Sequence, residues 1–249
     1  MAKDFTIVIP ARLESTRLPK KLLQKDTGKE LIVHSLENLS ALSDKIELVV
    51  VTDSEEIATV SKEHCDRVFM SPPECKSGSE RIMTILDHIE SDWILNVQAD
   101  EPEVNVDDLQ KLMDYCLKNS ESESMATLGV PFENEKTYTN PNAVKVLVSH
   151  SHHALYFSRT AIPHNGKYHD EHLYHHLGVY AYKKSLLKKW NDLTPGVFEQ
   201  TEKLEQLRAL ENGISIFVLG VSYAQKGIDT PEDYQAFTER KLNKTNGPN

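Results

Sequence analysis

Three short apolar runs, Phe5 to Ile9, Ile46 to Val51 and Trp93 to Val97, constrain this chain more than any other feature. None of them alternates apolar with polar residues, so each reads as a strand covered on both faces, the usual condition of a parallel sheet. The segments between them change period. Residues 30–42 set Ile32, Leu36 and Leu39 on one helical face, a helix is expected over about 55–63 after Thr52-Asp53-Ser54, and residues 77–90 align Ile82, Ile85, Leu86 and Ile89. A helix over about 106–119 follows the third run. Such a βαβα series winds into a mostly parallel sheet flanked by helices, with Phe5 to Ile9 as its first and central strand and ligands gathered at the carboxyl ends of the strands.

Beyond residue 124 strands dominate. They are expected over 125–130, 143–148, 177–182 and 214–219, with a helix over about 202–212 and a last one from Pro231. Eight of the eleven histidines fall between His150 and His176, in a stretch also rich in Pro and Tyr. This stretch, within about 150–190, is expected to project from the main sheet as an arm for dimerisation. No histidine pair there has zinc-ligand spacing on a clear helix, and surface imidazoles are the plain alternative. The expected organisation is one domain over residues 1–242 and a flexible tail over 243–249.

Composition narrows the function. A formal charge of -10 disfavours a general nucleic-acid binder, because phosphate contacts draw on Lys and Arg. No apolar stretch approaches the length that spans a bilayer, and the first ten residues lack a leader pattern, so a cytoplasmic protein is expected. Cys65, Cys75 and Cys116 are scattered and odd in number, which suits free thiols. Against the acidic background, residues 1–29 hold seven basic side chains and three acidic ones. An anion is expected there.

Pro10-Ala11-Arg12-Leu13-Glu14-Ser15-Thr16-Arg17-Leu18-Pro19-Lys20-Lys21 follows the first strand directly, so cations and backbone N–H groups converge at a strand end, as a triphosphate requires. A solvated basic loop has the same composition. Neither GxxxxGK[ST] nor GxGxxG occurs, which excludes a P-loop and disfavours a dinucleotide site. Asn96-Val97-Gln98-Ala99-Asp100-Glu101-Pro102 ends the third run on two adjacent carboxylates, which could hold Mg²⁺ against phosphate or simply close a solvated strand. Asp229-Thr230-Pro231-Glu232-Asp233 is good N-cap chemistry, and Asp229 could add a second metal ligand. Ser77-Gly78-Ser79-Glu80-Arg81 opens a helix whose free N–H groups could read a base or phosphate, although capping also accounts for it.

With these motifs in order, the chain resembles the 3-deoxy-manno-octulosonate (Kdo) cytidylyltransferases from Ile7 to Asp233. The resemblance is carried by Ile9-Pro10-Ala11-Arg12, Ser15-Thr16-Arg17-Leu18-Pro19, Ser77-Gly78, Glu80-Arg81, Asn96-Val97-Gln98, Asp100-Glu101-Pro102, Asn140-Pro141-Asn142-Ala143-Val144-Lys145-Val146, Tyr156-Phe157-Ser158-Arg159, His176-Leu177-Gly178 and Leu204-Glu205-Gln206. It implies a Rossmann-like nucleotidyltransferase fold and a homodimer. The implied reaction joins CTP and Kdo into CMP-Kdo with release of pyrophosphate, activating the sugar for lipopolysaccharide synthesis.

Carried over residue by residue, the resemblance implies that Pro10, Ala11, Arg12, Arg17, Lys21, Ser77, Gly78, Arg81 and Gln98 bind the nucleotide. It implies Asp100 and Asp229 as Mg²⁺ ligands, and Asp100, Arg12, Lys21 and Asp229 as the catalytic group. For the sugar it implies Gln98, Arg159, His176, Tyr182 and Glu205. The chain departs from the family where Lys20, Ala99 and Ala181 replace Gly and Leu22 replaces Pro. A glycine with positive φ is not cheaply replaced, so either residue 99 has an ordinary conformation or its loop has shifted. Its methyl could trim the sugar pocket, which leaves 8-amino-Kdo or a nonulosonic acid as alternative substrates. A glycosyltransferase, which would release no pyrophosphate, and a nucleotide sensor without turnover are the rival classes.

Overall fold

A computed structural model describes residues 3–42, 46–223 and 227–245. In chain order its elements are β1 (Phe5–Ala11), α1 (Leu31–Leu39), β2 (Ile46–Thr52), α2 (Glu55–Ser61), β3 (Arg67–Met70), α3 (Gly78–Met83), β4 (Trp93–Asn96), α4 (Val106–Lys118), β5 (Met125–Val130), α5 (Glu135–Thr139), β6 (Lys145–Val148), β7 (Ala154–Ser158), β8 (Leu173–Lys183), α6 (Lys184–Lys188), α7 (Val197–Glu202), α8 (Gln206–Glu211), β9 (Phe217–Gly220) and α9 (Pro231–Thr245). The class is α/β, as the alternating periods require. The chain divides into two compact units, the first drawn from Met1–Ser91, Asn96–Val106 and Gln225–Asn249 and the second from Asp92–Leu95 and Asp107–Ala224.

In the first unit β1 runs parallel to β2, with Phe5 opposite Ile46 and Ala11 opposite Thr52, and β2 runs parallel to β3, with Thr52 opposite Met70. The carboxyl ends of these strands therefore lie level. On the other edge of β1, Val97 N–H donates to Val8 O at 3.2 Å, so β1 is interior, and every one of its residues is buried. That explains the unbroken apolar run, since both faces need covering. Leu31, Ile32 and Leu36 of α1, Ile57 of α2 and Ile82 of α3 are fully buried. Burial of each such side chain is worth about 1.5–3 kcal/mol.

The helix expected over 77–90 is shorter. It ends at Met83 because Thr84 Oγ1 donates to Arg81 O at 2.7 Å and Thr84 N–H reaches back to the same carbonyl, tightening the turn that would have continued. At the other end of the chain, α9 extends through Thr245, so residues 243–245 of the expected tail are helical; residues 246–249 lie outside the described residues.

In the second unit β5 pairs antiparallel with β8 through a bulge at Thr127/Leu128 and parallel with β9, while β6 pairs antiparallel with both β7 and β8. The His-rich stretch, expected to project from the main sheet, is itself partly strand, and β6 and β7 pair off the main strand path. Ala154–Ser158 pairs with Lys145–Val148, and β8 starts at Leu173, before the expected Leu177. Phe132, Tyr138, Ala143 and Leu173 form a small apolar cluster with Leu147 and Tyr168 packed on it, which anchors the segment.

Candidate active site

The level strand ends of the first unit carry most of the expected nucleotide and metal residues. Pro10 and Ala11 close β1 in full burial, while Arg12 and Arg17 are exposed on the loop beyond. Lys21, at the end of that loop, is only 8% exposed. Its ammonium donates to Asp100 Oδ2 at 2.5 Å, to Ile228 O at 2.7 Å and to Asp229 Oδ1 at 3.5 Å, which engages all three of its protons. Arg17 meets the same Asp229 oxygen at 3.0 Å. Ile228 N–H donates to Asp100 O at 3.0 Å, fixing the two acidic loops to each other.

Glu101, next along, is different. Burial and the charges of Asp100 and Asp229 push its carboxyl up to about 8, so it is mostly neutral at pH 7 and the charge facing Lys21 belongs to Asp100 and Asp229. The gathered acceptors are all hard oxygens, two of them carboxylates. That donor set suits Mg²⁺ completed by phosphate oxygens and water.

Arg81, Ser77 and Gly78 meet the same end of the sheet. Ser77 Oγ caps α3 by accepting from Glu80 N–H at 3.1 Å. A Cβ at Gly78 would stand 3.0 Å from Pro10 Cγ, so the absence of a side chain lets α3 close on the end of β1. Arg81 is buried, donating to Asp53 Oδ2 at 2.8 Å and to Ser71 Oγ. Gln98 Nε2 donates to Asn96 Oδ1 at 3.3 Å. Sequence reasoning passed over Asp53, whose Thr-Asp-Ser context reads only as a helix start.

Two departures from the family pattern resolve here. Lys20 has φ 48° and ψ 38°, the left-handed region, so this position does call for the glycine it lacks. Its amine pairs with both Glu56 oxygens at 3.0 and 2.9 Å, an exposed pair of small worth. Ala99 is absent from the positive-φ residues and buried, its carbonyl accepting from Ser35 Oγ at 2.8 Å. Residue 99 therefore has an ordinary conformation. Lys20→Gly is expected to raise stability by about 0.5–1 kcal/mol in denaturant titration; a loss would show that the Glu56 pair outweighs the backbone strain.

The remaining expected sugar residues belong to the second unit. Arg159 Nε donates to Glu202 O at 2.7 Å, and its terminal nitrogens reach Pro141 O and Lys203 O, each at 3.3 Å. Glu202 accepts in return from Arg159 N–H and Ser158 Oγ, both at 2.8 Å. Lys145, fully buried on β6, donates to Asn140 O at 2.7 Å and Arg159 O at 2.9 Å, and burial together with the Arg159 charge lowers its pKa. Tyr180 stacks on Tyr182 at 5.6 Å, lies 5.2 Å from His176 and feels the charge of Glu205. Tyr180, Lys145 and Glu202, which pack on or bond to these expected residues, carry no signal that singles them out in the sequence.

His176 faces Phe157 edge-on at 5.0 Å, and its Nε2 lies 3.0 Å from Thr127 Oγ1. That hydroxyl spends its one proton on Val179 O at 2.6 Å, so it accepts from His176, which fixes the Nε2–H tautomer. Burial, then the neighbouring His175, lowers the His176 pKa to about 3. The folded imidazole stays neutral while the unfolded one takes a proton near pH 6.5, so its stabilising contribution is present above that pH and is lost as pH falls toward the folded value. Between pH 7.5 and 5.0 the protein is expected to lose about 2 kcal/mol more than His176→Gln. Equal losses in chemical unfolding would contradict this.

An α/β unit that presents arginines, a lysine and paired carboxylates at level strand ends has the equipment of a nucleotide-handling transferase. Comparisons narrow the class. The cytidylyltransferase family profile matches residues 6–216. A 3-deoxy-manno-octulosonate cytidylyltransferase 2 of Hydrogenovibrio crunogenus is 40% identical over 92% of this chain and 94% of its own. An 8-amino-3,8-dideoxy-manno-octulosonate cytidylyltransferase of Shewanella pealeana is 36% identical over 92% of this chain and 95% of its own. A solved CMP:2-keto-3-deoxy-manno-octonic acid synthetase complexed with CTP superposes with a TM-score of 0.89 at 30% identity, covering 96% of this chain and 99% of that one. The chain belongs to the Kdo cytidylyltransferase family.

Proposed function

We propose that the protein transfers CMP from CTP to Kdo, forming CMP-Kdo and pyrophosphate, and so supplies activated sugar for lipopolysaccharide synthesis. The observation that carries this reading is the convergence of Lys21 on Asp100 and Asp229 at the end of the basic loop. Arg12, Arg17, Lys21 and Arg81 bind the triphosphate and orient its α-phosphate, with Pro10, Ala11, Ser77, Gly78 and Gln98 completing the nucleotide site. Asp100 and Asp229 would hold Mg²⁺, which when bound neutralises charge on phosphoryl oxygens. The anomeric hydroxyl of the sugar attacks the α-phosphorus in line; its bond to phosphorus forms as the bond to pyrophosphate breaks, and the hydroxyl proton passes to solvent. The residues' part is positioning and electrostatic stabilisation. Gln98, Arg159, His176, Tyr182 and Glu205 select the sugar acid.

The Shewanella relative favours 8-amino-Kdo as a second reading of the sugar. Pyrophosphate release with CTP, UTP and ATP against Kdo, 8-amino-Kdo and a nonulosonic acid tests both. Activity with CTP and Kdo is expected to dominate; turnover with 8-amino-Kdo alone would replace Kdo, and none with any sugar acid would sink the reading. A cytoplasmic homodimer is part of the proposal. Its support is the exposure of Leu155, Val197 and Phe198 in the second unit and the absence, among the described residues, of a helix long and apolar enough to cross a membrane.

A further inference from the structure

Asp53 directly follows β2, beside the basic loop, and none of the nucleotide or metal roles above falls to it. Its two carboxylate oxygens are nonetheless committed to different parts of the first unit. Oδ1 accepts from the backbone N–H of Leu13, inside the basic loop, at 3.2 Å. Oδ2 accepts from the Arg81 guanidinium on α3 at 2.8 Å, with the Arg81 side chain 4% exposed and that of Asp53 16%. The other terminal nitrogen of Arg81 donates to Ser71 Oγ, and Ser71 N–H donates to Thr52 O at 2.8 Å. One carboxylate thus joins the ends of β1, β2 and β3 to α3.

From this geometry we infer that Asp53 is a positioning residue for nucleotide binding: it holds the basic loop and Arg81 in one fixed relation, so that Arg12 and Arg17 on the loop and Arg81 on the helix meet the same nucleotide. The charge matters as well as the shape. Asparagine could still accept from Leu13, but its amide would face Arg81 with a donor opposite a donor, and a buried guanidinium would lose its counter-charge. A ligand would then have to order the loop itself, and that ordering is subtracted from affinity. The inference rests on the reading of residues 10–21 and Arg81 as the nucleotide site.

The test is steady-state kinetics of Asp53→Asn with CTP and the sugar acid varied separately, beside hydrogen exchange of residues 11–17 in the free protein. The KM for CTP is expected to rise about tenfold, equivalent to about 1.4 kcal/mol. Turnover should stay within about threefold and the KM for the sugar should be unchanged, while loop exchange quickens. A purely structural role would instead lower the amount of active protein, reducing apparent kcat and leaving both KM values in place; that result overturns the inference. If Asp53→Asn does not fold, Asp53→Glu answers the question. It retains the charge but displaces the carboxylate by one methylene, and a wild-type KM for CTP in that variant would equally overturn it. If the wild-type protein turns over no CTP, the functional reading fails, and the exchange measurement still decides whether Asp53 holds the loop: unchanged exchange in the variant refutes it.

Discussion

Asp100→Asn is expected to slow turnover by about a thousandfold while the protein remains folded. Asparagine has the same volume and still offers an oxygen to Lys21, whose ammonium also keeps Ile228 O at 2.7 Å and Asp229 at 3.5 Å. The buried lysine is therefore not stranded, and the melting temperature should shift by no more than about 5 °C. What disappears is a full negative charge in a site built to hold a divalent cation against phosphate. Pyrophosphate release and thermal unfolding measured on one preparation check the expectation. A folded variant with a near-normal rate would remove Asp100 from the chemistry.

The second large effect is expected from Lys145→Met, and it is one of stability. Lys145 is fully buried, and its ammonium closes two backbone carbonyls, Asn140 O and Arg159 O. Methionine fills much the same space but leaves both acceptors unpaired, at about 1–3 kcal/mol each, so a loss of about 2–6 kcal/mol is expected in denaturant unfolding. The same change loosens the turn that carries Arg159. Sugar KM should therefore rise more than CTP KM in whatever fraction remains folded. A stability change under about 1 kcal/mol would mean that water replaces the ammonium without cost.

How much of this could be read from the sequence depends on how much of each element's environment is local. The strands β1 and β2 and the helices α1, α2 and α4 declare themselves, because burial on both faces or along one stripe imprints a period on the residues. β3 does not: after Arg67, paired to Glu47 at 2.6 Å, only Val68, Phe69 and Met70 remain, a run too short to show a period. The first half of β8 is hidden by Tyr174, His175 and His176, polar residues that tolerate burial only through partners distant in sequence, such as Thr127 for His176. The site divides in the same way. Arg12, Lys21, Asp100 and Asp229 stand out as charges at strand ends. Asp53 and Glu202 bond to groups tens of residues away, and Lys145 to two backbone carbonyls 5 and 14 residues off, and no spacing rule announces such pairings. Lys20 and Ala99 are the converse, where resemblance poses a backbone question that only φ answers.

The first unit is assembled from separate stretches of chain, and Asp229 stands in the last of them, beside Asp100 and Lys21 from the other two. During synthesis from the amino end, β1 to β3 can pair early, since their partners are near in sequence. The pocket at their carboxyl ends is incomplete until residues 227–245 emerge, after the whole second unit has been made. A chain made only as far as the second unit would hold the basic loop and Asp100 without the carboxylate that shares Lys21, so competence waits on the stretch that carries Asp229.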